Sequence, residues 1–199
     1  MFSLSLYIYV FLFPLISPSF LHFSLFPSDI HAGQWYDVTQ HGGVSSIARN
    51  ATLLAYPEPT ICAFDIEVTK DPLKFPDVEK DEVMMISFVL NGDGFLIVNR
   101  ETVSKDIEDF DFAPEGKFPT RFTIFNERNE EDTLRRFISE AHAEKVALFV
   151  TYNGDAFDWP YVAARAARYG LSIEAEFGLR ANSAGEFVGT DCAHLDCFR

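Results

Sequence analysis

The sequence predicts an α/β domain with a mixed sheet, in which an antiparallel three-strand meander precedes a further strand and two helices. Two apolar runs, 60–68 and 82–90, have the length and composition of strands. The "NGDG" at 91–94 is a strong hairpin signal that leads into a third strand, 95–99. Later segments show helical periodicity on either side of one more apolar run. The order strand, strand, strand, helix, strand, helix is typical of a mixed sheet.

The later elements follow from caps and periodicity. Asn129 precedes three acidic residues and is typical of a helix start, since a cap and early acids suit the amide end of a helix. The run 146–152 predicts the next strand, and Asp158 with Pro160 opens an Ala-rich helix that Gly170 ends. The first helix keeps one face apolar through residues at helical spacing: Leu134, Phe137, Ile138 and Ala141.

Composition limits the function classes. With 199 residues, 48% of them hydrophobic, the chain can bury a core. Its net charge of -14 excludes a broad basic surface for nucleic-acid phosphates, so any role on nucleic acid must rest on a local site.

The segment 101–120 is acidic, contains proline and glycine, and is predicted to be an exposed loop. The cysteines lack a Cys-x-x-Cys pair, which indicates neither a disulfide framework nor a zinc site: Cys62, Cys192 and Cys197.

The first 28 residues carry no charged side chain and differ from the rest. A signal peptide would have a basic start, but no Lys or Arg precedes Arg49. A membrane helix would need ~20 uninterrupted apolar residues, whereas Pro14 and Pro18 interrupt this run. The segment is rich in Phe, Leu, Ser and Pro, whose codons can be written in pyrimidines alone. A third hypothesis is therefore that residues 1–32 are non-native, an intron end read through.

These observations divide the chain into three parts. Residues 1–32 are the apolar segment, expected to be non-native or unstructured. Residues 33–59 precede the main domain, and residues 60–199 form it. No internal repeat marks a further boundary.

Two carboxylates, Asp65 and Glu67, interrupt the otherwise apolar strand "TICAFDIEV". Alternate residues of a strand share a face, so both point the same way with Cα atoms about 7 Å apart. Acids that simply face water are one interpretation. However, no Lys or Arg lies between Arg49 and Lys70, and charges at the edge of a core are costly unless a cation pairs with them. A divalent metal would supply that charge, and oxygen-only ligands favour magnesium or manganese.

A second segment, "VTYNGDAFDWPYV" at 150–162, leaves a buried strand and delivers Asp158 at a helix start. Such an aspartate alone is most often an N-cap. The combination of D-I-E with a later N-x-x-x-F-D resembles the first two motifs of proofreading 3′-to-5′ exonucleases with an RNase H-like fold. The match is specific to B-family replicative DNA polymerases of the epsilon class. It covers most of residues 33–199, including "GQWYDV" and "CAHLDCFR".

The resemblance implies roles for individual residues. Asp65, Glu67 and Asp158 would be catalytic and would hold two Mg²⁺ or Mn²⁺ ions. Asn153 and Phe157 would contact the frayed 3′ end of a DNA primer. The alternatives for these two are a turn residue and a core aromatic, respectively.

The resemblance also implies a larger parent. The third exonuclease motif, Tyr-x-x-x-Asp, would lie beyond Arg199, as would the polymerase domains with their iron-sulfur cluster and zinc. The parent would be a nuclear DNA-directed DNA polymerase that binds other subunits of the replicative complex and does not bind a membrane. The fragment alone would be inactive. Val68 departs from the family, which usually has threonine after the D-I-E.

Two other hypotheses remain. "DIEVT" also resembles the D-x-D-x-T of haloacid dehalogenase-like phosphatases, although the hairpin at 91–94 conflicts with the parallel order of that fold. Alternatively, the chain is an inactive scaffold. A group near the end could ligate a metal but fits no standard zinc spacing, and we interpret its members as strand residues: Cys192, His194, Asp196 and Cys197.

Overall fold

A computed structural model describes residues 2–8, 34–41, 44–56, 58–107 and 122–198. The chain forms two compact units, Met1–Glu58 and Pro59–Arg199. In the described residues no helix has the length and apolarity that a membrane crossing requires.

The first unit contains an antiparallel three-stranded sheet in the order β1-β2-β3. Its strands are β1 (Phe2–Ile8), β2 (Gln34–His41) and β3 (Val44–Arg49). Strand β1 lies in the apolar segment for which the sequence favoured no regular structure, and residues 9–33 lie outside the described residues. The origin of residues 1–32 therefore stays a prediction.

The second unit contains a six-stranded mixed sheet in the order β11-β8-β4-β5-β6-β7. Strand β4 is central and antiparallel to β5, whereas its other neighbour, β8, is parallel to it. The mixed α/β class predicted from the sequence is confirmed. The strands of this sheet are β4 (Ile61–Val68), β5 (Val83–Leu90), β6 (Asp93–Asn99), β7 (Thr123–Glu127), β8 (Leu148–Thr151) and β11 (Ala193–Asp196).

The predicted meander is present. Strand β5 pairs antiparallel with both β4 and β6. Asn91 and Gly92 turn the chain with φ angles of 51° and 100°. Two consecutive positive φ angles are those of a type I′ turn, whose twist matches the flanking strands, and Asn-Gly is the preferred pair for it.

Strand β7 was not predicted. It runs parallel to β6 at the edge of the sheet, with Phe95 opposite Thr123. The predicted loop at 101–120 is described only as far as residue 107, in turns and bends, and its remainder lies outside the described residues.

Helix α1 (Glu130–Ala143) begins as predicted, because the side chain of Asn129 accepts a hydrogen bond from the Asp132 N–H at 2.9 Å. Its apolar face is buried against the sheet, where the Phe137 ring lies 5.0 Å from that of Phe64. The aromatic core also includes Phe149, which lies 6.3 Å from Phe137 between ring centroids.

Helix α2 (Asp158–Arg168) follows β8, and Gly170 ends this segment with φ 72°. The chain then forms a short helix, α3 (Ile173–Phe177), and a two-stranded hairpin. The hairpin strands are β9 (Leu179–Ala181) and β10 (Phe187–Gly189). Strand β11 returns to the sheet parallel to β8.

Candidate functional site

The acids of β4 alternate with core residues. Phe64 and Ile66 are buried, with exposures of 5% and 4%, whereas Asp65 and Glu67 are exposed on the opposite face. This agrees with the alternation expected of a strand. The two carboxylates therefore share one face of the central strand.

A β-bulge follows the acids, between Glu67 and Val68. Thr69 then closes the strand against Glu82, since its N–H donates to the Glu82 carbonyl at 2.9 Å and its hydroxyl accepts from the Glu82 N–H at 2.8 Å. Bulges re-aim side chains and are frequent beside functional sites. Here the bulge shifts the pairing register directly after the two acids, and the ladder then continues with Val68 opposite Val83.

Asp158 lies beside these acids. Strands β4 and β8 pair only as far as Ala63 and Val150, which frees this edge of β4 for the start of α2. The Asp158 Oδ1 accepts a hydrogen bond from the Ile66 N–H at 3.1 Å. Phe157, not Asp158, occupies the N-cap position of α2, so the carboxylate serves β4 rather than its own helix.

The negative charges of the site are close together and partly buried, which disfavours their ionised forms. Asp158 is 2% exposed. Burial, together with the negative charge of Asp65 and a smaller effect of Asp196, raises the pKa of Asp158 to about 6, although the Ile66 N–H acts in the opposite direction. Burial also raises the pKa of Asp65. Crowded carboxylates of this kind are stabilised by a bound cation.

The three acids do not form a preassembled metal centre. Asp158 and Asp65 are close enough to interact electrically, and Glu67 follows on the same face. Across the part of the chain that the structure describes, no three His, Cys, Asp or Glu side chains are grouped closely enough to hold a metal. Rotation of the two exposed strand carboxylates toward Asp158 would be needed to complete an oxygen-only ligand set.

Asn153 and Phe157 lie in the turn that connects β8 to α2. Asn153 is partly buried and has a left-handed backbone with φ 66°. Phe157 is partly buried, and its ring lies 5.5 Å from that of Tyr161. It packs against the core and also lines a groove, and its contact with a primer end stays a prediction.

The groove beside Phe157 was not predicted. It has a volume of about 570 Å³ and lies between α2 and the loop that follows β4. Phe75 on that loop is 96% exposed. The lining is mainly apolar: Phe75, Pro76, Asp77, Val78, Ala156, Phe157, Pro160, Tyr161 and Ala164.

A buried ion pair lies next to the groove and contacts its lining residue Val78. Glu130 is 1% exposed and Arg165 is 3% exposed, and their side chains form two hydrogen bonds, at 2.5 and 2.8 Å. Arg165 also donates to the Val78 carbonyl at 2.9 Å. Sequence reasoning treated Glu130 only as an ordinary acid of the first helical turn. The sequence signal for a buried acidic partner was Arg165, which lies at helical spacing on the mostly apolar face of α2.

The C-terminal group does not form a ligand cluster. His194 is buried and its Nε2 lies 2.8 Å from the Thr151 hydroxyl, while Asp196 accepts backbone hydrogen bonds. Cys192 is partly buried and burial raises the pKa of its thiol to about 12. His194 and Asp196 lie in β11, as the sequence predicted, whereas Cys192 and Cys197 flank the strand, so the prediction of strand residues was wrong for these two.

A mixed sheet with paired acids on its central strand and a third acid on the adjoining helix agrees with the RNase H-like fold that the sequence predicts. The chain belongs to DNA polymerase family B as its exonuclease domain, which it matches over residues 19–198. Exonuclease domains of this family generally use divalent metals.

Two curated relatives agree with this assignment, and both are catalytic subunits of DNA polymerase epsilon. The chain is 44% identical over 171 residues to the protein of Saccharomyces cerevisiae and 47% identical over 176 residues to that of Schizosaccharomyces pombe. These matches cover 86% and 88% of this chain but only 8% of each relative. The chain is thus homologous to the exonuclease domain of these catalytic subunits.

A solved structure supports the fold. The family B DNA polymerase of the hyperthermophilic archaeon Pyrobaculum calidifontis matches 86% of this chain and 21% of its own length, with a TM-score of 0.59. At 17% sequence identity, this likeness concerns the fold alone.

Proposed function

We propose that the chain is part of a 3′-to-5′ proofreading exonuclease within a replicative DNA polymerase. The observation that supports this most strongly is the position of Asp158, whose carboxylate binds the Ile66 N–H between Asp65 and Glu67. The first two exonuclease motifs thereby meet at one edge of the central strand.

Asp65, Glu67 and Asp158 would hold two Mg²⁺ or Mn²⁺ ions. The donors fit these metals, because they are all carboxylate oxygens and because no cationic side chain occurs between Arg49 and Lys70. The chemistry that two such ions supply is activation of water and stabilisation of the leaving 3′ oxygen. With its pKa of about 6, Asp158 is mainly ionised at neutral pH and can then act as a ligand.

Asn153 and Phe157 would contact the frayed 3′ end of the primer. Phe157 lines the groove between α2 and the loop that follows β4, where its ring is available to a base. Stacking on an aromatic side chain accepts every base, and a mispaired end unstacks more readily than a paired one. Selection of mismatched ends follows from this difference.

The relatives suggest the parent protein. The chain spans about 8% of each curated relative, and both relatives are catalytic subunits of DNA polymerase epsilon. The parent would be a nuclear DNA-directed DNA polymerase that associates with further subunits, with an iron-sulfur cluster and zinc outside this region.

Manganese binding tests the site directly. Asp65→Ala should abolish Mn²⁺ binding in calorimetric titrations and leave stability almost unchanged, because it removes charge repulsion as well as a ligand. Asp71→Ala is the matched control, since Asp71 is an exposed acid on the following loop. Equal Mn²⁺ affinity in the wild-type chain and Asp65→Ala would contradict the metal site.

Nuclease activity is best tested within a whole polymerase. We would replace the corresponding segment of the Saccharomyces cerevisiae relative with this chain and measure trimming of a mismatched primer. Trimming should occur and should disappear with Asp65→Ala or Asp158→Ala. A chimera that synthesises DNA without trimming, and gains trimming with Val68→Thr, would identify Val68 as disabling. If Val68→Thr also fails, the scaffold hypothesis is favoured.

A further inference from the structure

Asp196 stands at the end of the sheet, next to the turn that carries the second motif. It pairs in parallel with Thr151, the last residue of β8. Its Oδ1 accepts hydrogen bonds from the N–H groups of Asn153 at 2.7 Å and Phe198 at 3.0 Å. Its Oδ2 accepts from the Asp155 N–H at 3.0 Å. One carboxylate thus binds both ends of a three-residue stretch of the turn.

The turn needs such support, because Asn153 has φ 66°. Asparagine adopts this left-handed conformation more readily than most residues, but only glycine does so without penalty. The Asn153 carbonyl then accepts from the Ala156 and Phe157 N–H groups at 3.2 and 3.1 Å. The chain enters α2 directly afterwards, with Asp158 as the first residue of the helix.

Strand β11 contacts the same turn through His194, two residues before Asp196. The Nε2 of His194 lies 2.8 Å from the Thr151 hydroxyl, and its Nδ1 lies 3.5 Å from the Asp155 carboxylate. A Cβ atom at Gly154 would lie only 2.1 Å from that hydroxyl, so the turn packs tightly on Thr151. The backbone between β8 and α2 is therefore confined from the β11 side.

The carboxylate of Asp196 is suited to this task. Partial burial alone would raise its pKa, but the hydrogen bonds from Phe198, Asp155 and Asn153 outweigh burial and hold the pKa below its usual value. The side chain is accordingly ionised at neutral pH. Hydrogen bonds to an ionised acceptor are roughly twice as strong as neutral ones.

We propose that Asp196 is a positioning residue for the exonuclease site. It fixes Asn153 in its left-handed conformation and thereby determines where α2 begins and where Asp158 lies. The catalytic consequence rests on the proposed function. The conformational role stands on the contacts of Asp196 alone.

Asp196→Asn tests the role with little change in shape. An asparagine offers one acceptor oxygen, and its NH₂ group would oppose a backbone N–H. By NMR of the 199-residue chain, the amides of Asn153 and Asp155 should exchange at least about tenfold faster, while those of β5 should not change. Asp191→Asn is the control, because Asp191 is an exposed acid on the same segment. Unchanged exchange at Asn153 and Asp155 would overturn the proposal.

Mn²⁺ affinity separates positioning from a purely structural role. It should fall about tenfold or more in Asp196→Asn, as is typical when a residue that orients metal ligands is changed. Adding Asn153→Gly should restore most of that affinity, because glycine adopts a positive φ without penalty. Failure of this rescue would show that Asp196 does not act through the turn. Absence of Mn²⁺ binding in the wild-type chain would instead count against the proposed function, and the exchange rates would still decide the conformational role.

Discussion

Arg165→Met should be the most destabilising single change in the groove wall. Glu130 accepts four hydrogen bonds: from the Val83 N–H at 2.7 Å, from Arg165 at 2.8 and 2.5 Å, and from the Tyr169 hydroxyl at 2.6 Å. Glu130 and Arg165 are both almost fully buried. Every group that contacts the Glu130 carboxyl oxygens is a donor, and arginine is always a cation, so the two side chains form an ion pair. Methionine would leave the Glu130 charge buried without a cation.

The size of the effect follows from that charge. Removing one partner of a buried ion pair costs about 3 to 5 kcal/mol. A domain of this size has a total unfolding free energy of about 5 to 15 kcal/mol, so a large share of it would be lost. The melting temperature should fall by about 6 to 20 °C.

The control for this change lies one turn further along α2. Arg168 pairs with Glu79 at 3.0 Å, but its side chain is 46% exposed, and surface pairs contribute less than about 1 kcal/mol. Urea unfolding of Arg165→Met and Arg168→Met should therefore give clearly different losses. Adding Glu130→Gln to Arg165→Met should recover part of the stability, since no buried charge would remain. Equal small losses in the two arginine variants would refute the reasoning.

Three further predictions concern the acids and the hairpin. The raised pKa of Asp158 contributes stability that is fully present below about pH 3.8 and is lost as the pH rises through about 6. Asp158→Asn should remove this pH dependence of the unfolding free energy. Urea unfolding of both proteins between these pH values measures the difference. Asp65→Asn should lower the pKa of Asp158 because it removes a negative neighbour, and an NMR titration that gave an unchanged pKa would place Asp65 too far away. Gly92→Ala should cost about 1 kcal/mol or more in thermal unfolding because φ is 100° at that position; an unaltered melting temperature would contradict the type I′ assignment.

Local signals explain which parts of the fold could be predicted. The Asn-Gly turn, the Asn129 cap and the alternation of β4 each depend on neighbours in sequence, and the structure contains all three. Strand β7 could not be predicted in the same way, since it has five residues, is only partly buried and pairs in parallel with β6. Its stability depends on contacts that the local pattern does not encode.

Only part of the candidate site could be predicted, again because some of its contacts are local in sequence and others are not. Asp65 and Glu67 could be identified because two acids in an apolar strand are unusual. The hydrogen bond from Ile66 to Asp158 spans 92 positions and depends on where β8 ends beside β4. Burial of Glu130 was likewise hidden, because an acid in a first helical turn normally faces solvent at the amide end. Its partners come from β5 and α2, far away in sequence.

Helix α2 couples the acids to the groove. Its first residue, Asp158, contacts the edge of β4. Further along the helix, Tyr161 donates a hydrogen bond to the Asp81 carbonyl at 3.0 Å, and Arg165 donates one to the Val78 carbonyl at 2.9 Å. Those carbonyls belong to the loop that forms the opposite wall of the groove. Helix α2 therefore contacts both β4, through Asp158, and the loop, through Tyr161 and Arg165. On the proposed function, Arg165→Met should weaken Mn²⁺ binding in calorimetric titrations, although Arg165 contributes no ligand to the site.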